Sequence, residues 1–444
     1  MKINEIWLLL FTFCFLFAPP IIPNINFSFV LAIYSLIVII TKYIGRLKVL
    51  LKSKKLKKII LLLIVYNIIY LASFSLNSII NNQDYLSNYI INCYSFVLNY
   101  IITFICAIYI TFKCEDLNYT KNEVILLFIK AGLIQVLFVV LALINPAFKE
   151  WTIKKMFKET NRKLLESQWV VNRRFYGFSN NLLDLFGFGT GIISSLPLFY
   201  GKVTGKKAYF LLSPILLIAP FLNSRTGLII FSVGLITLVG LSIFSKRVNI
   251  VEVIKYIVII LIVFIIIYNL INYYSPKTLE WIKKDLLSFI SDSEEIGTAD
   301  FIFSSRFWNL PPLSKIMIGD GHSISGYSSG AANLIGNNEN NIKYLKSDNG
   351  YINELWKVGL VGTFILIYLI HFTTKCLNRT EDEKTYRTMH FYFELATLIF
   401  LVKGTIIGYN PGNVIIYTLL IMSIYKMEGK TNGKWFNFYH SSLL

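Results

Sequence analysis

The sequence predicts an all-α, polytopic helical membrane protein with about twelve transmembrane helices, one large external loop and one smaller one. The composition is the first reason, since 55% of the 444 residues are hydrophobic, 15% are charged, and the mean hydropathy is +0.59. The second reason is that apolar runs long enough to span the hydrocarbon core recur along the whole chain. A soluble domain of this length does not have this composition, and a β-barrel would show short alternating segments instead.

Twelve apolar stretches are predicted to cross the membrane within a single transmembrane domain, residues 1–444. They are residues 5–23, 26–44, 59–77, 89–112, 123–144, 180–201, 208–222, 226–245, 255–272, 351–371, 388–408 and 413–426. The first stretch is interpreted as an anchor rather than a signal peptide. It ends in Ala18-Pro19-Pro20 without a small-x-small cleavage site, and many other spans follow it.

Basic clusters predict the orientation of these spans. The net charge is +18, and with a cytoplasmic amino terminus the lysines and arginines between 46 and 58, 202 and 207, 246 and 247, 375 and 387, and 426 and 434 all fall inside. The positive-inside rule therefore places both termini in the cytoplasm. Nucleic acid is not an expected partner, because the basic residues do not gather on one soluble domain.

Two long segments then face outward, residues 145–179 and residues 272–350. The first is strongly basic, on the side of the membrane where basic residues are usually scarce. Its charges are interleaved with apolar residues between Trp151 and Leu165. Two interpretations remain open: an interfacial amphipathic helix resting on anionic lipid of the bilayer, or a funnel for an anionic substrate.

Three arginines near the predicted outer surface are candidates for phosphate binding. Arg173 and Arg174 directly precede the sixth span, which begins at Asn180. Arg225 lies in a tight turn after a short, proline-containing seventh span, which keeps it near the outer headgroups. An arginine at that depth either snorkels to the interface or faces a cavity or a partner. Asp184, one turn into span six, is either functional or a counter-charge for these arginines.

The large loop carries further polar candidates in an otherwise apolar chain. Arg306 and Trp308 belong to a short segment ended by two prolines, and Asp320 lies between two glycines in a tight turn. Asp348 precedes span ten, where an acid either caps the helix or acts as a base. His322, the only histidine predicted to face outward, is either solvated or catalytic.

The chain offers no pattern typical of a metal or nucleotide enzyme. It contains no His-Glu-x-x-His, no Asp-x-Asp pair, no Cys-x-x-Cys and no glycine-rich nucleotide loop. We therefore expect no metal, no cofactor and no disulfide framework.

Four stretches, taken in order, resemble the O-antigen polymerase and ligase superfamily, which comprises Wzy-type polymerases and lipopolysaccharide ligases. Together they cover about residues 170–365. The stretches are Arg174-Phe175-Tyr176-Gly177-Phe178 with Asn180-Asn181; Ser224-Arg225-Thr226-Gly227; Ser305-Arg306-Phe307-Trp308 with Ile318-Gly319-Asp320-Gly321; and Ser347-Asp348-Asn349-Gly350-Tyr351 with Gly359-Leu360-Val361-Gly362. The ligases carry a histidine where this chain has Asp348, which argues against a ligase.

The resemblance implies metal-independent glycosyl transfer at the outer face of a bacterial plasma membrane, with undecaprenyl-diphosphate-linked glycans as donor and acceptor. The product would be an O-antigen or capsular polysaccharide, and a regulator of chain length is a further expected partner. Developing charge on the leaving diphosphate needs cations, and the acceptor hydroxyl needs a base. The candidates are Arg174, Arg225 and Arg306 for the diphosphate, with Arg173 and Asn180 beside them; Asp348, then His322 and Asp320, as the base; and Trp308 and Tyr351 for stacking on sugars.

Two rival functions remain. A lipopolysaccharide ligase would transfer the same glycan to a different acceptor. A flippase or another secondary transporter would also have about twelve spans, but such proteins bind substrate near the middle of the membrane and need no eighty-residue outer loop.

Overall fold

The computed structural model describes the chain as a series of helical segments. The residues that it does not describe are 1, 22–26, 82–85, 158–165, 167–173, 182, 245–257, 259–261, 263–264, 267, 278, 281–282, 284–307, 309, 320, 322–348, 378–383, 403–409 and 432–444. Over the described residues the fold is all-helical, without a β-strand. The predicted all-α class is confirmed.

The α-helices are numbered here in chain order. They are α1 Ile3–Phe17, α2 Phe27–Lys42, α3 Ile44–Lys52, α4 Lys54–Asn81, α5 Leu86–Asp116, α6 Lys121–Ile144, α7 Pro146–Trp151, α8 Leu183–Thr204, α9 Leu212–Leu216, α10 Ile218–Asn223, α11 Arg225–Phe244, α12 Leu313–Ile316, α13 Gly350–Leu377, α14 Lys384–Phe400 and α15 Pro411–Thr431. A π-helical turn, Thr152–Met156, continues α7, and a 3-10 turn, Lys207–Leu211, precedes α9.

Several of these helices could cross a membrane. Within the described residues, three are long and apolar enough on their own, namely Lys54–Leu76, Lys121–Ile144 and Gly350–Leu377. The bent pair α2 and α3 adds a fourth if it forms one span, and α1, α11 and the stretch Lys207–Asn223 are shorter apolar helices. The chain is therefore a membrane-associated helical protein, but the predicted number of twelve transmembrane helices is not confirmed.

The predicted seventh span is not one continuous helix. Its residues form the 3-10 turn and two helices of five and six residues, α9 and α10, each containing a proline. Pro214 and Pro220 each lie in the first turn of their helix, where a proline is tolerated because the missing N–H would have had no partner within the helix, so each proline accompanies a helix start. Half of the predicted ninth span, residues 255–272, lies outside the described residues, and the described half is helical.

The second span ends in a sharp bend, where the chain axis turns by 95° between α2 and α3. Asp116 at the end of α5 holds this corner. Its carboxylate accepts hydrogen bonds from Lys42 Nζ at 3.0 Å, from Arg46 at 2.8 Å and from the Tyr43 hydroxyl. Burial favours a raised pKa for Asp116, but these donors outweigh it and hold the pKa below its ordinary value.

Helix α6 shows how a local pattern fixes a helix start. Thr120 and Glu123 form a capping box, in which Glu123 N donates to Thr120 Oγ1 at 3.3 Å and Thr120 N donates to Glu123 Oε2 at 2.6 Å. The helix then runs for 24 apolar-rich residues to Ile144. Its two ends are thus set by sequence, with Asn145 closing it before Pro146.

Helix α8 lies at the centre of the bundle and contacts α6, α9, α10, α11, α14 and α15. It approaches α11 closely because small residues face each other. A Cβ added at Gly191 would lie 2.6 Å from the Gly227 carbonyl oxygen, and one added at Gly187 would overlap Ser224 Oγ. Small residues four apart let two helix backbones meet in this way. The close approach brings the start of α11 against the first turns of α8.

Candidate functional site

The first element of the candidate site is the segment 174–181, which precedes α8. Asn223, a fully buried residue at the end of α10, holds it by pairing with the backbone of Phe175. Phe175 N donates to Asn223 Oδ1 at 2.6 Å, and Asn223 Nδ2 donates to the Phe175 carbonyl at 2.7 Å. Asn223 is not among the site residues predicted from the sequence. A polar side chain directly before Ser224-Arg225 was the available signal.

Arg174 and Arg225 lie together, although 50 residues of chain separate them. Arg174 Nη1 donates to the Asn223 carbonyl at 2.8 Å and to the Tyr176 hydroxyl at 3.3 Å. Arg225, two residues after Asn223, begins α11, and its pKa is lowered to about 10, first by burial and then by the nearby charge of Arg174. Like charges held together in a partly buried position favour binding of an anion.

A carboxylate adjoins this pair. Thr226 Oγ1, next to Arg225, donates to Asp184 Oδ1 at 2.7 Å. The contact is possible because Asp184 lies in the first turn of α8 and Thr226 in the first turn of α11, where glycines bring these helices together. The contact shown for the Asp184 carboxylate is this hydroxyl, so both interpretations of Asp184, as a functional acid and as a counter-charge for an arginine, stay predictions.

Asn180 belongs to the same buried segment and is fixed through its backbone. Asn180 N donates to the carbonyl of Phe17 at 3.0 Å, where α1 ends, and Asn181 Nδ2 donates to the Leu16 carbonyl at 2.8 Å. Asn180 itself is half-buried. The end of α1 therefore serves as the second support, after Asn223, for the segment that carries Arg174.

Ile318, Gly319 and Gly321, in the segment predicted to be the large external loop, dock against α4 and α13. Gly321 N donates to the Lys357 carbonyl at 3.1 Å, and Ser73 Oγ of α4 donates to the Ile318 carbonyl. Gly359 interrupts α13 with φ 66° and ψ −169°, and a Cβ added there would lie 2.6 Å from Gly319 N. We call this contact the glycine dock, defined by Gly319, Gly321 and Gly359. It fixes both neighbours of Asp320.

The closing motif is also structured in part. Asn349 caps α13, since its Oδ1 accepts from Tyr351 N at 2.9 Å and its carbonyl accepts from Asn353 N at 2.9 Å. The helix cap that was one predicted role of Asp348 is thus supplied by Asn349. The Tyr351 hydroxyl donates to the Leu398 carbonyl of α14 at 2.7 Å, so this candidate for sugar stacking also ties two helices together.

Six predicted site residues remain. The structure describes one of them, Trp308, and does not describe the other five. Trp308 is 51% exposed in a turn before α12. The candidates that lie outside the described residues are Arg173, Arg306, Asp320, His322 and Asp348. The structure therefore brings Arg174, Arg225 and Asn180 into one neighbourhood, and it gives no position for the three candidate bases.

α13 contains a buried charged pair that was not predicted from the sequence. Glu354 is 1% exposed and accepts a hydrogen bond from the Tyr66 hydroxyl of α4. Lys357 Nζ lies 3.8 Å from Glu354 Oε1 and 5.1 Å from the centre of the Tyr70 ring. An acidic and a basic residue three positions apart in an apolar helix, Glu354 and Lys357, could have indicated this pair from the sequence. This pair supports the helix that receives the glycine dock.

The described residues give no indication of a metal centre. Within that part of the chain, no three His, Cys, Asp or Glu side chains come close enough together to hold a metal ion. Among the site residues described above, Arg174 and Arg225 are the two whose charge suits an anion.

Comparisons with known protein families, with curated proteins and with solved structures find no match to this chain.

Proposed function

We propose that this protein is a membrane glycosyltransferase that polymerises undecaprenyl-diphosphate-linked oligosaccharides into a surface polysaccharide at the outer face of a bacterial plasma membrane. The observation that carries the proposal is the pairing of Arg174 with Arg225 beside the first turns of α8 and α11. Two guanidinium groups supply two positive charges for a diphosphate, and a planar guanidinium is suited to binding phosphate oxygens.

In the proposed reaction, a hydroxyl oxygen of the acceptor glycan bonds to the anomeric carbon of the donor sugar. The bond from that carbon to the diphosphate oxygen breaks, and the lipid diphosphate leaves on the arginines. The hydroxyl proton passes to a base, for which Asp348 remains the first candidate and His322 and Asp320 the next. Cations fixed in advance stabilise the charge on the leaving group without reorganisation.

The fixed position of the arginines supports this role. Asn223 and the end of α1 hold the segment that carries Arg174, and close packing of α8 on α11 holds Arg225. Removing one donor to a developing anion typically lowers the rate by about 10²–10³-fold. We therefore expect Arg174→Ala and Arg225→Ala each to abolish visible polymer while the protein remains in the membrane.

The test is a deletion strain complemented with variants, with surface glycan resolved on a gel. The wild-type gene should restore a ladder, and Arg225→Ala should leave single repeat units. Arg225→Lys should fall between them, because an ammonium is a point charge without bidentate geometry. Lys48→Ala, which removes an exposed charge from α3, is the matched control and should give a full ladder.

A full ladder from Arg225→Ala and Arg174→Ala would remove the arginine pair from the reaction. If deletion instead left full-length polymer on its lipid carrier, the ligase would be the correct function. If glycan length stayed unchanged in the deletion strain and lipid-linked units accumulated inside the cell, the protein would instead be a flippase.

A further inference from the structure

The segment 174–181, which carries Arg174, is non-helical backbone that lies beside α6. Phe175 and Tyr176 in this segment are buried. Helix α6 is long and apolar enough to cross a membrane, and irregular backbone packed against such a helix has little water to pair with. Its N–H and carbonyl groups therefore need partners from the protein. Asn223 and the end of α1 supply two of these partners, and α6 supplies a third.

Gln135 is the partner from α6. It is fully buried, and its Nε2 donates to the Tyr176 carbonyl at 2.6 Å. It lies roughly 13 Å along the helix axis from the end of α6 at Ile144. Its Oε1 accepts no hydrogen bond from the described residues, so only the donor end of this amide is used. A buried amide in an apolar helix is costly, and here the bond to Tyr176 is what offsets that cost.

The backbone of the segment rests directly on α6 beside this hydrogen bond. Gly177 has φ 60°, and a Cβ added there would lie 2.8 Å from Val139 N and 2.9 Å from the Phe138 carbonyl carbon. Only glycine allows so close an approach in this backbone region without strain. The contact at Gly177 therefore sets the distance of the segment from α6, and the bond from Gln135 fixes the adjoining peptide of Tyr176.

The hydroxyl of Tyr176 connects this support to the arginine. Arg174 Nη1 donates to the hydroxyl at 3.3 Å and to the Asn223 carbonyl at 2.8 Å. The Tyr176 ring packs edge-to-face on Phe186 of α8, with ring centres 5.4 Å apart. Tyr176 is therefore fixed twice, at its peptide by Gln135 and at its ring by Phe186. Its hydroxyl is held at a defined point against the guanidinium group.

We propose that Gln135 is a positioning residue for the arginine pair. Through Tyr176 it fixes the Arg174 guanidinium in the place from which a diphosphate can be shared with Arg225. The inference rests on the proposed binding of a lipid diphosphate by the two arginines. A diphosphate has two phosphate groups and can contact both guanidinium groups, whereas a monophosphate can be held by one of them. Displacement of Arg174 should therefore weaken diphosphate binding more than monophosphate binding.

The test measures binding of farnesyl diphosphate and of farnesyl phosphate to the purified full-length protein in neutral detergent, by native mass spectrometry. The wild type should prefer the diphosphate. Gln135→Met keeps nearly the same side-chain length without a polar atom. It should lower the preference about tenfold, as expected for one lost charge-assisted contact, and leave monophosphate binding near the wild-type level. A purely structural role for Gln135 predicts that both ligands bind more weakly by the same factor.

A second variant reaches the same contact by another route. Tyr176→Phe removes the hydroxyl and keeps the ring, so it should lower the diphosphate preference as Gln135→Met does. The double variant should lose little more than the stronger single variant, because both changes act on Arg174. Asn67→Leu is the matched control, since it removes an amide that donates to the Leu63 carbonyl within α4. It should bind both ligands as the wild type does.

Gln135→Met should remain folded, because it removes the unsatisfied Oε1 together with the donor to the Tyr176 carbonyl, and these two changes offset each other in stability. Thermal unfolding of the purified variant checks this. If Gln135→Met fails to fold, Tyr176→Phe still decides whether the hydroxyl positions the arginine.

The outcomes separate the inference from the function on which it rests. A wild type without a preference for the diphosphate would overturn the proposed role of the arginine pair, and the inference with it. A wild-type preference that both Gln135→Met and Tyr176→Phe retain would overturn the positioning role alone. Equal weakening of the two ligands in Gln135→Met would also overturn it, because that result indicates a general loss of structure.

Discussion

Substitution of Gly359 by alanine probes the glycine dock, where Ile318, Gly319 and Gly321 rest against the bundle. Gly359 adopts φ 66° and ψ −169° in the interior of α13, a backbone region that only glycine enters without strain. A methyl group there would overlap the Met317 carbonyl and lie 2.6 Å from Gly319 N. Both neighbours are backbone atoms, so neither can rotate away. The loop must withdraw for the variant to relax.

The magnitude follows from the contacts. Alanine in that backbone region is strained by about 1–3 kcal/mol. Withdrawal of the loop also gives up two hydrogen bonds, from Gly321 N to the Lys357 carbonyl and from Ser73 to the Ile318 carbonyl. The wild type gives up the same two bonds when its loop opens, so they do not add to the difference between the proteins, and docking should weaken by the strain alone, about 1–3 kcal/mol.

Limited trypsin digestion of the purified protein measures this change through cleavage after Lys315, which is half-buried in α12 beside the dock. When opening is fast, the cleavage rate tracks the population of the open form. A loss of 2 kcal/mol should therefore raise the rate of cleavage at Lys315 roughly thirtyfold. Mass spectrometry of the fragment that ends at Lys315 separates this site from the others.

Two glycines provide matched controls for the same substitution. Gly205 has φ 67° but open space around its Cα, so Gly205→Ala tests backbone strain without a clash. Gly240 also has open space and lies within α11, so Gly240→Ala tests neither effect. Cleavage at Lys315 should stay at the wild-type rate in both controls. If Gly359→Ala also left this rate unchanged, the dock would not hold the loop.

Three further variants test the supports of the site. Asn223→Ala leaves the buried N–H and carbonyl of Phe175 without their side-chain partner, so stability should fall by about 1–3 kcal/mol in thermal unfolding, with loss of polymer. Gly187→Ala should destabilise the α8–α11 contact, and Ser224→Gly should partly rescue it in a double-mutant cycle. Asp116 has a pKa held below its ordinary value, so its contribution to stability is present at neutral pH and lost as the pH falls through the folded-state pKa. Asp116→Asn should therefore lower the unfolding temperature at pH 7 and remove that acid-dependent loss; an unchanged acid profile would contradict this assignment.

The sequence alone determines the helical class and much of the helix layout. Apolar runs fix where helices such as α6 and α13 lie, because backbone groups in an apolar setting must pair within their own helix. Local signals also fix boundaries, as the capping box does at Thr120 and Glu123. The predicted seventh span contains two prolines and is short. The sequence alone did not show that it divides into α9 and α10.

Only the tertiary structure decides which distant polar groups meet. The sequence proposes Arg174 and Arg225 separately, and their pairing depends on Asn223 and on glycines that let α8 approach α11. Likewise, the sequence around Gly319 and around Gly359 does not show that the two backbones contact each other. These contacts join segments tens of residues apart, and they arise from helix packing, whose geometry is set by the whole bundle rather than by any single stretch of chain.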